Sequence, residues 1–230
     1  MRYVESTQPL TSDKLEVKFP AIAYIDVASS VLPLGAALYG WRWLARERLV
    51  FFFFTTIALI TELATLWMAL RGITNLWVLQ FYNLSELLLM LVVFSAWQKR
   101  KALRTSYWWA GAFFAVFWVA AKWAGLESFS RPAHYTHTVS SAILVVIATL
   151  TLLDVIRGED VELLRDMRFW VASGALLYFA GNIMLFLLSG RIAILGINDA
   201  MTVYSIHWII DSVANVLYAG AFLCMKRQVA

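Results

Sequence analysis

The chain is 230 residues long, 61% hydrophobic and only 15% charged, with a mean hydropathy of +0.70. Such a composition excludes a water-exposed surface, which takes about a quarter charged residues. The net charge of +4 then has a topological meaning rather than marking a nucleic-acid binder, and at roughly 20 apolar residues per crossing the chain holds about seven spans with no separate soluble domain.

Residues 1–20 carry charges of both signs and no apolar run, so they are expected to be an extracytoplasmic tail, neither a signal peptide nor a span. The membrane domain is expected over 21–226. Apolar runs predict an all-α, seven-helix transmembrane bundle with spans near Ala21 to Leu44, Arg48 to Leu70, Asn75 to Trp97, Thr105 to Ala124, His134 to Val155, Arg168 to Leu188 and Ala200 to Met225. Pro33 and Gly35 predict a kink in the first run. The fourth has no ionisable residue from Tyr107 through Trp118 until Lys122, whose stem is expected to snorkel toward the outer surface.

Lys and Arg resist translocation and collect on the cytoplasmic side. Twelve of them fall in alternate loops and at the C-terminus (Arg42, Arg46, Arg48; Lys99, Arg100, Lys101, Arg104; Arg157, Arg165, Arg168; Lys226, Arg227), against seven on the other side. The N-terminus is therefore expected outside and the C-terminus inside. Trp41, Trp43, Trp97, Trp123 and Trp170 fall near the ends of the runs, as an interfacial aromatic belt requires. Cys224 is the only cysteine, which excludes a disulfide framework.

The first three runs correspond loosely to the last three. Val27-Ala28-Ser29-Ser30-Val31 matches Thr138-Val139-Ser140-Ser141-Ala142 at an offset of 111 residues; Arg48 and Glu62 match Arg168 and Asn182 at 120; Tyr82 and Glu86 match His207 and Asp211 at 125. A duplicated three-helix unit, about 21–98 and 134–226, joined by a linker helix at about 105–124, would leave this trace. This 3+1+3 parallel arrangement resembles in topology the PQ-loop sugar and vitamin transporters, without the Pro-Gln pair that names them.

Ionisable groups deep in a bilayer are expensive and mark functional sites. The seventh run carries Tyr204, His207, Asp211, Asn215 and Tyr218 on one helical face, and the third carries Asn75, Tyr82 and Glu86 on another, with Gln80 and Asn83 nearby. Glu62, Asn182, Asp26 and His137 come from four other runs; the headgroup zone is an alternative place for Asp26, and His134 is placed there. These residues lie in the outer halves of the spans, and the inner halves are almost wholly apolar. They predict an outward-facing acidic chamber, with Glu62, Tyr82, Glu86, Asn182, Tyr204, His207 and Asp211 as the candidate ligand-binding set. A small polar or cationic molecule from the outer side would suit it, in a receptor-like or transporter-like protein with no cofactor and with membrane lipid as its surroundings.

Two other readings stand beside it: polar residues that serve only as interhelical glue, and a membrane-embedded zinc hydrolase. Seven-helix enzymes of the ceramidase and adiponectin-receptor type resemble the chain in helix number, and here zinc would need His137, His207, Asp211 and one Glu. Retinal chemistry is excluded, because mid-helix in the seventh run stand Ile209, Ile210 and Asp211 where a Schiff base needs Lys.

Thr61-Glu62, Asn75-Leu76-Trp77 through Tyr82, Phe169-Trp170 with Leu177-Tyr178-Phe179-Ala180-Gly181-Asn182, and Ile206-His207 with Asn215-Val216-Leu217-Tyr218-Ala219 together resemble a family of small bacterial seven-helix membrane proteins of unknown function. The resemblance implies a multi-pass protein of the bacterial cytoplasmic (inner) membrane and brings no activity or site residues with it.

Overall fold

The computed structural model describes residues 20–41, 46–130, 132–158, 162–192 and 197–224. The tail expected over 1–20, Pro20 apart, lies outside them, as do Arg42, Trp43, Arg131, Lys226 and Arg227 among the topological markers. Among the described residues the fold is all-helical, with no strand. The helices are α1 (Ala21–Ser29), α2 (Val31–Tyr39), α3 (Arg46–Leu70), α4 (Leu76–Trp97), α5 (Lys101–Trp123), α6 (His134–Ile156), α7 (Met167–Ile192) and α8 (Ile197–Leu223). Each apolar run of the sequence is thus helical, with α1 and α2 sharing the first.

Five stretches are long and apolar enough to cross a membrane: Ala21–Tyr39, Arg48–Leu70, Leu76–Trp97, His134–Ile156 and Tyr204–Leu223. Their outer surface is itself apolar. Leu38, Ile60, Val146 and Ile206 are more than half exposed, a skin that lipid solvates and water does not. The protein is a membrane protein.

The first run breaks at Ser30, three residues before the proline expected to kink it. Pro33 has no N–H for the carbonyl of Ser29, and its ring clashes with that carbonyl. Two hydroxyls bond back to the turn before the break: Ser29 Oγ donates to Asp26 O and Ser30 Oγ to Val27 O, both at 2.7 Å. Ser30 itself keeps right-handed helical dihedrals, φ −67° and ψ −14°, so the chain continues in nearly the same direction.

α7 lies closest to α6 and α8, α4 packs on α3, α5 and α6, and the α1–α2 pair lies against α8. The α7–α8 seam depends on glycine. A Cβ on Gly174 would stand 2.7 Å from Tyr218 Cε1, and one on Gly181 would stand 2.8 Å from Ile210 Cδ1; small residues let helices approach in this way where no hydrophobic force draws them together. Phe51 of α3 stacks on Phe222 of α8 at 5.2 Å and meets the edge of Tyr218 at 5.3 Å. With Phe54, Phe94, Leu87 and Met90, these rings form the buried core.

The α5–α6 connection folds back on itself. Gly125, at φ 70°, supplies the left-handed residue that ends α5, and the Glu127 N–H then reaches Ala121 O at 3.1 Å. Glu127 points inward, 6% exposed, and accepts from Lys122 Nζ at 2.8 Å, from Thr136 N at 2.9 Å and from Thr136 Oγ1 at 2.8 Å. The Lys122 ammonium is thus held by this carboxylate and lies over the rings of Trp118 and Phe129. Burial pushes the Glu127 carboxyl up, but the hydrogen bonds from Lys122 and Thr136 and the ammonium charge outweigh it, so its pKa is lowered.

Candidate functional site

Four carboxyls on four helices face one region, Asp26 and Glu86 buried and Glu62 and Asp211 half-buried. Asp26 of α1, Glu62 of α3 and Glu86 of α4 are each within electrostatic reach of Asp211 of α8, and Asp26 also acts on Glu62. Among the described residues, the charged groups acting on these three are therefore acidic. Spacing explains how α8 serves the site: Asp211 and Asn215 stand one turn apart on one face, and Ser212 beside them donates to Asp26 Oδ1 at 3.3 Å. Asn215 Nδ2 donates to Ser29 Oγ at 3.1 Å, at the break between α1 and α2, and the Ser30 hydroxyl beside it lies within hydrogen-bond reach of Glu62. Asp26 is buried and belongs to this cluster.

Tyrosines surround the carboxyls. The Tyr82 hydroxyl donates to Glu86 one turn along α4, and Tyr82 also feels Tyr178, Asp211 and Glu62. Tyr178 is hydrogen-bonded to Asn182 one turn along α7. Several buried oxygens of the site have no hydrogen-bond partner: Glu62 Oε2, Glu86 Oε1, Asn182 Oδ1 and the Tyr218 hydroxyl. Buried polar atoms are normally paired, and these four share one region with the carboxyls.

Of the residues expected in the chamber, Glu62, Tyr82, Glu86 and Asp211 are together and Asn182 joins them through Tyr178. His207 lies at their margin, its ring 6.1 Å from that of Tyr178. Tyr204 is exposed, its ring tilted against that of Trp208 at 6.3 Å. Among the described residues no three His, Cys, Asp or Glu side chains are grouped to hold a metal ion, and the set His137, His207 and Asp211 is not gathered as zinc would require. Asp26, Tyr178 and Ser212 were absent from the candidate set; Tyr178 and Asn182 stand four residues apart, which was the available signal.

Two clefts flank the bundle. One, of about 220 Å³, is lined by Gln98, Lys99, Arg100, Thr151, Asp154 and Arg168 among others. There Gln98 Nε2 donates to Asp154 Oδ2 at 3.1 Å, and Arg100 N donates to Gln98 Oε1 at 2.9 Å. The other, of about 470 Å³, is an apolar groove lined by Thr61 of α3 and by Trp77, Val78, Phe81, Tyr82, Leu84, Ser85 and Leu88 of α4.

No family model, no curated protein and no solved structure matches the chain.

Proposed function

We propose that this chain crosses the membrane seven times, N-terminus outside and C-terminus inside, and that its acidic cluster binds a small organic cation arriving from the outer side, as a receptor or transporter does. One observation carries the reading: among the described residues, the charged groups that act on Asp26, Glu62 and Glu86 are themselves carboxyls, Asp211 foremost. Each ionised group at such depth costs on the order of 2.5–3.5 kcal/mol even on lenient scales, so the cluster calls for protons or a cation. The unpaired oxygens of Glu62, Glu86 and Asn182 are acceptors for an N–H donor, and the rings of Tyr82, Tyr178 and Tyr218 suit an alkylammonium through cation–π attraction. The absence of a metal-holding group among the described residues favours an organic cation over a metal ion.

Further support comes from the helices themselves. α5 and α7, with 23 and 26 residues, are each longer than the roughly 30 Å hydrocarbon core at 1.5 Å per residue. Phe51 and Phe222 each stand eleven residues from a cluster carboxyl, Glu62 and Asp211. That puts an aromatic plug roughly 16 Å below the site, on the side rich in Lys and Arg. The duplicated unit has support as well: α3 against α4 is echoed by α7 against α8, and α1–α2 against α8 by α6 against α4. Ser29 and Ser140, equivalent at the 111-residue offset, each bond an asparagine across these last two contacts.

The test is thermal unfolding of the purified protein in nanodiscs with tetramethylammonium, against tert-butanol as a neutral molecule of similar size. The cation should raise Tm in a saturable way and tert-butanol should not. Glu86→Gln and Asp211→Asn should remove the shift, and Asn215→Ala should weaken it less, because a lost charge in a low-dielectric site costs more than a lost neutral hydrogen bond. Equal behaviour of the two compounds refutes the reading.

A further inference from the structure

The α3–α4 groove and the acidic cluster share a wall. Tyr82 lines the groove with its ring and donates its hydroxyl to Glu86. Thr61 and Ser85, also in the groove lining, are the chain neighbours of Glu62 and Glu86, whose Oε2 and Oε1 atoms are buried and unpartnered. The groove runs along α4 from Trp77 to Leu88, eleven residues or roughly 16 Å, and Trp77, Phe81 and Leu88 are 49%, 51% and 38% exposed. Those side chains face the surroundings of the bundle, so in a bilayer the groove opens sideways into hydrocarbon. An apolar trough whose inner wall hydrogen-bonds a carboxylate is complementary to a molecule with a hydrocarbon chain and a positively charged head.

We infer that the ligand is an amphipathic cation, a single-chain alkylammonium that reaches the site from the bilayer, laying its chain in the α3–α4 groove and placing its ammonium against Glu86 and Glu62 behind Tyr82. This rests on the reading of the acidic cluster as a cation site and names the ligand class. Three features fit it. The groove, at about 470 Å³, has the size of a small-molecule site. Its rings, Trp77, Phe81 and Tyr82, attract a cation on its way in. Tyr82 lies both in the groove lining and in hydrogen-bond reach of Glu86, and a salt bridge from the head group replaces its bond to that carboxyl.

The experiment uses the full chain in phosphatidylglycerol nanodiscs, which carry no ammonium of their own. The probe is dodecyltrimethylammonium bearing a diazirine at the end of its chain, photolysed and mapped by peptide mass spectrometry. Labelling should be saturable, should fall on the α3–α4 groove, and should be competed by plain dodecyltrimethylammonium at least about tenfold better than by tetramethylammonium. Filling the groove with Leu84→Trp, and independently with Val78→Trp, should abolish the labelling but leave the Tm shift with tetramethylammonium intact. Glu86→Gln should remove both responses. Label spread over α5 and other lipid-facing helices, equal labelling by a dodecanol bearing the same diazirine as an uncharged control, or full labelling in both tryptophan variants would overturn the groove while the tetramethylammonium shift kept the cation site. Loss of the tetramethylammonium response in the unmodified protein, with no saturable labelling, would remove both.

Discussion

Ser140 Oγ donates to Asn83 Oδ1 at 2.6 Å, a bond between two fully enclosed side chains that fixes α6 against α4. Interhelical hydrogen bonds in membranes contribute about 0.6 kcal/mol on average and up to about 1.7, and the Asn83 Nδ2 atom already lacks a partner. Ser140→Ala should therefore cost about 1–2 kcal/mol, since it strands the remaining acceptor as well. Adding Asn83→Leu, which removes the stranded amide, should recover most of that. A double-mutant cycle by SDS or urea unfolding checks it, and simple additivity of the two losses would deny the coupling.

Glu127 is expected to be the most stability-critical charge outside the spans. Its pair with Lys122 is shielded, with side chains 2% and 10% exposed, and removing one partner of a buried pair costs about 3–5 kcal/mol. Glu127→Ala should thus be severe, and Lys122→Met with Glu127→Gln together should be milder than Glu127→Ala alone.

The same carboxyl gives a pH dependence. Its folded pKa is below the ordinary glutamate value of 4.5, so the unfolded chain binds its proton first as the pH falls. The stability it supplies is fully present above about pH 4.5 and is lost progressively below, as the pH descends through the folded value. Tm measured from pH 6 downward should fall more steeply in the unmodified protein than in Glu127→Gln.

Glycine substitutions in the α7–α8 seam should rank by what the new methyl meets. At Gly174 it meets the ring of Tyr218, which is pinned between Phe51 and Phe54; at Gly181 it meets Cδ1 at the free end of Ile210. Gly174→Ala should cost about 1–3 kcal/mol as overpacking does, with Gly181→Ala well below it. Equal losses in thermal unfolding would mean that both sites relax alike.

Orientation is tested by reporter fusions placed after Lys101, after Arg131 and at Ala230, which should read inside, outside and inside. Twelve basic residues against seven set that order through the resistance of Lys and Arg to translocation. Any other order would refute the seven-span arrangement or its direction.

The sequence by itself determined the helices, because a chain solvated by lipid must satisfy its backbone internally and must be apolar for about twenty residues at a time. Residue type and spacing were enough to place α3, α4, α6 and α8 within a few residues and to single out Glu62, Glu86 and Asp211. Only the tertiary structure decided which of the polar groups share a space. That depends on the rotation of each helix about its axis, set by contacts such as Gly174 against Tyr218 that hydropathy does not record. Asp26 joins the cluster, where Ser212 of α8 donates to it, and Tyr204 on the same helix is left exposed. The left-handed turn at Gly125 carried Glu127 back to Lys122 and Thr136, a relationship among three residues from two helices and a loop that no single periodicity contains.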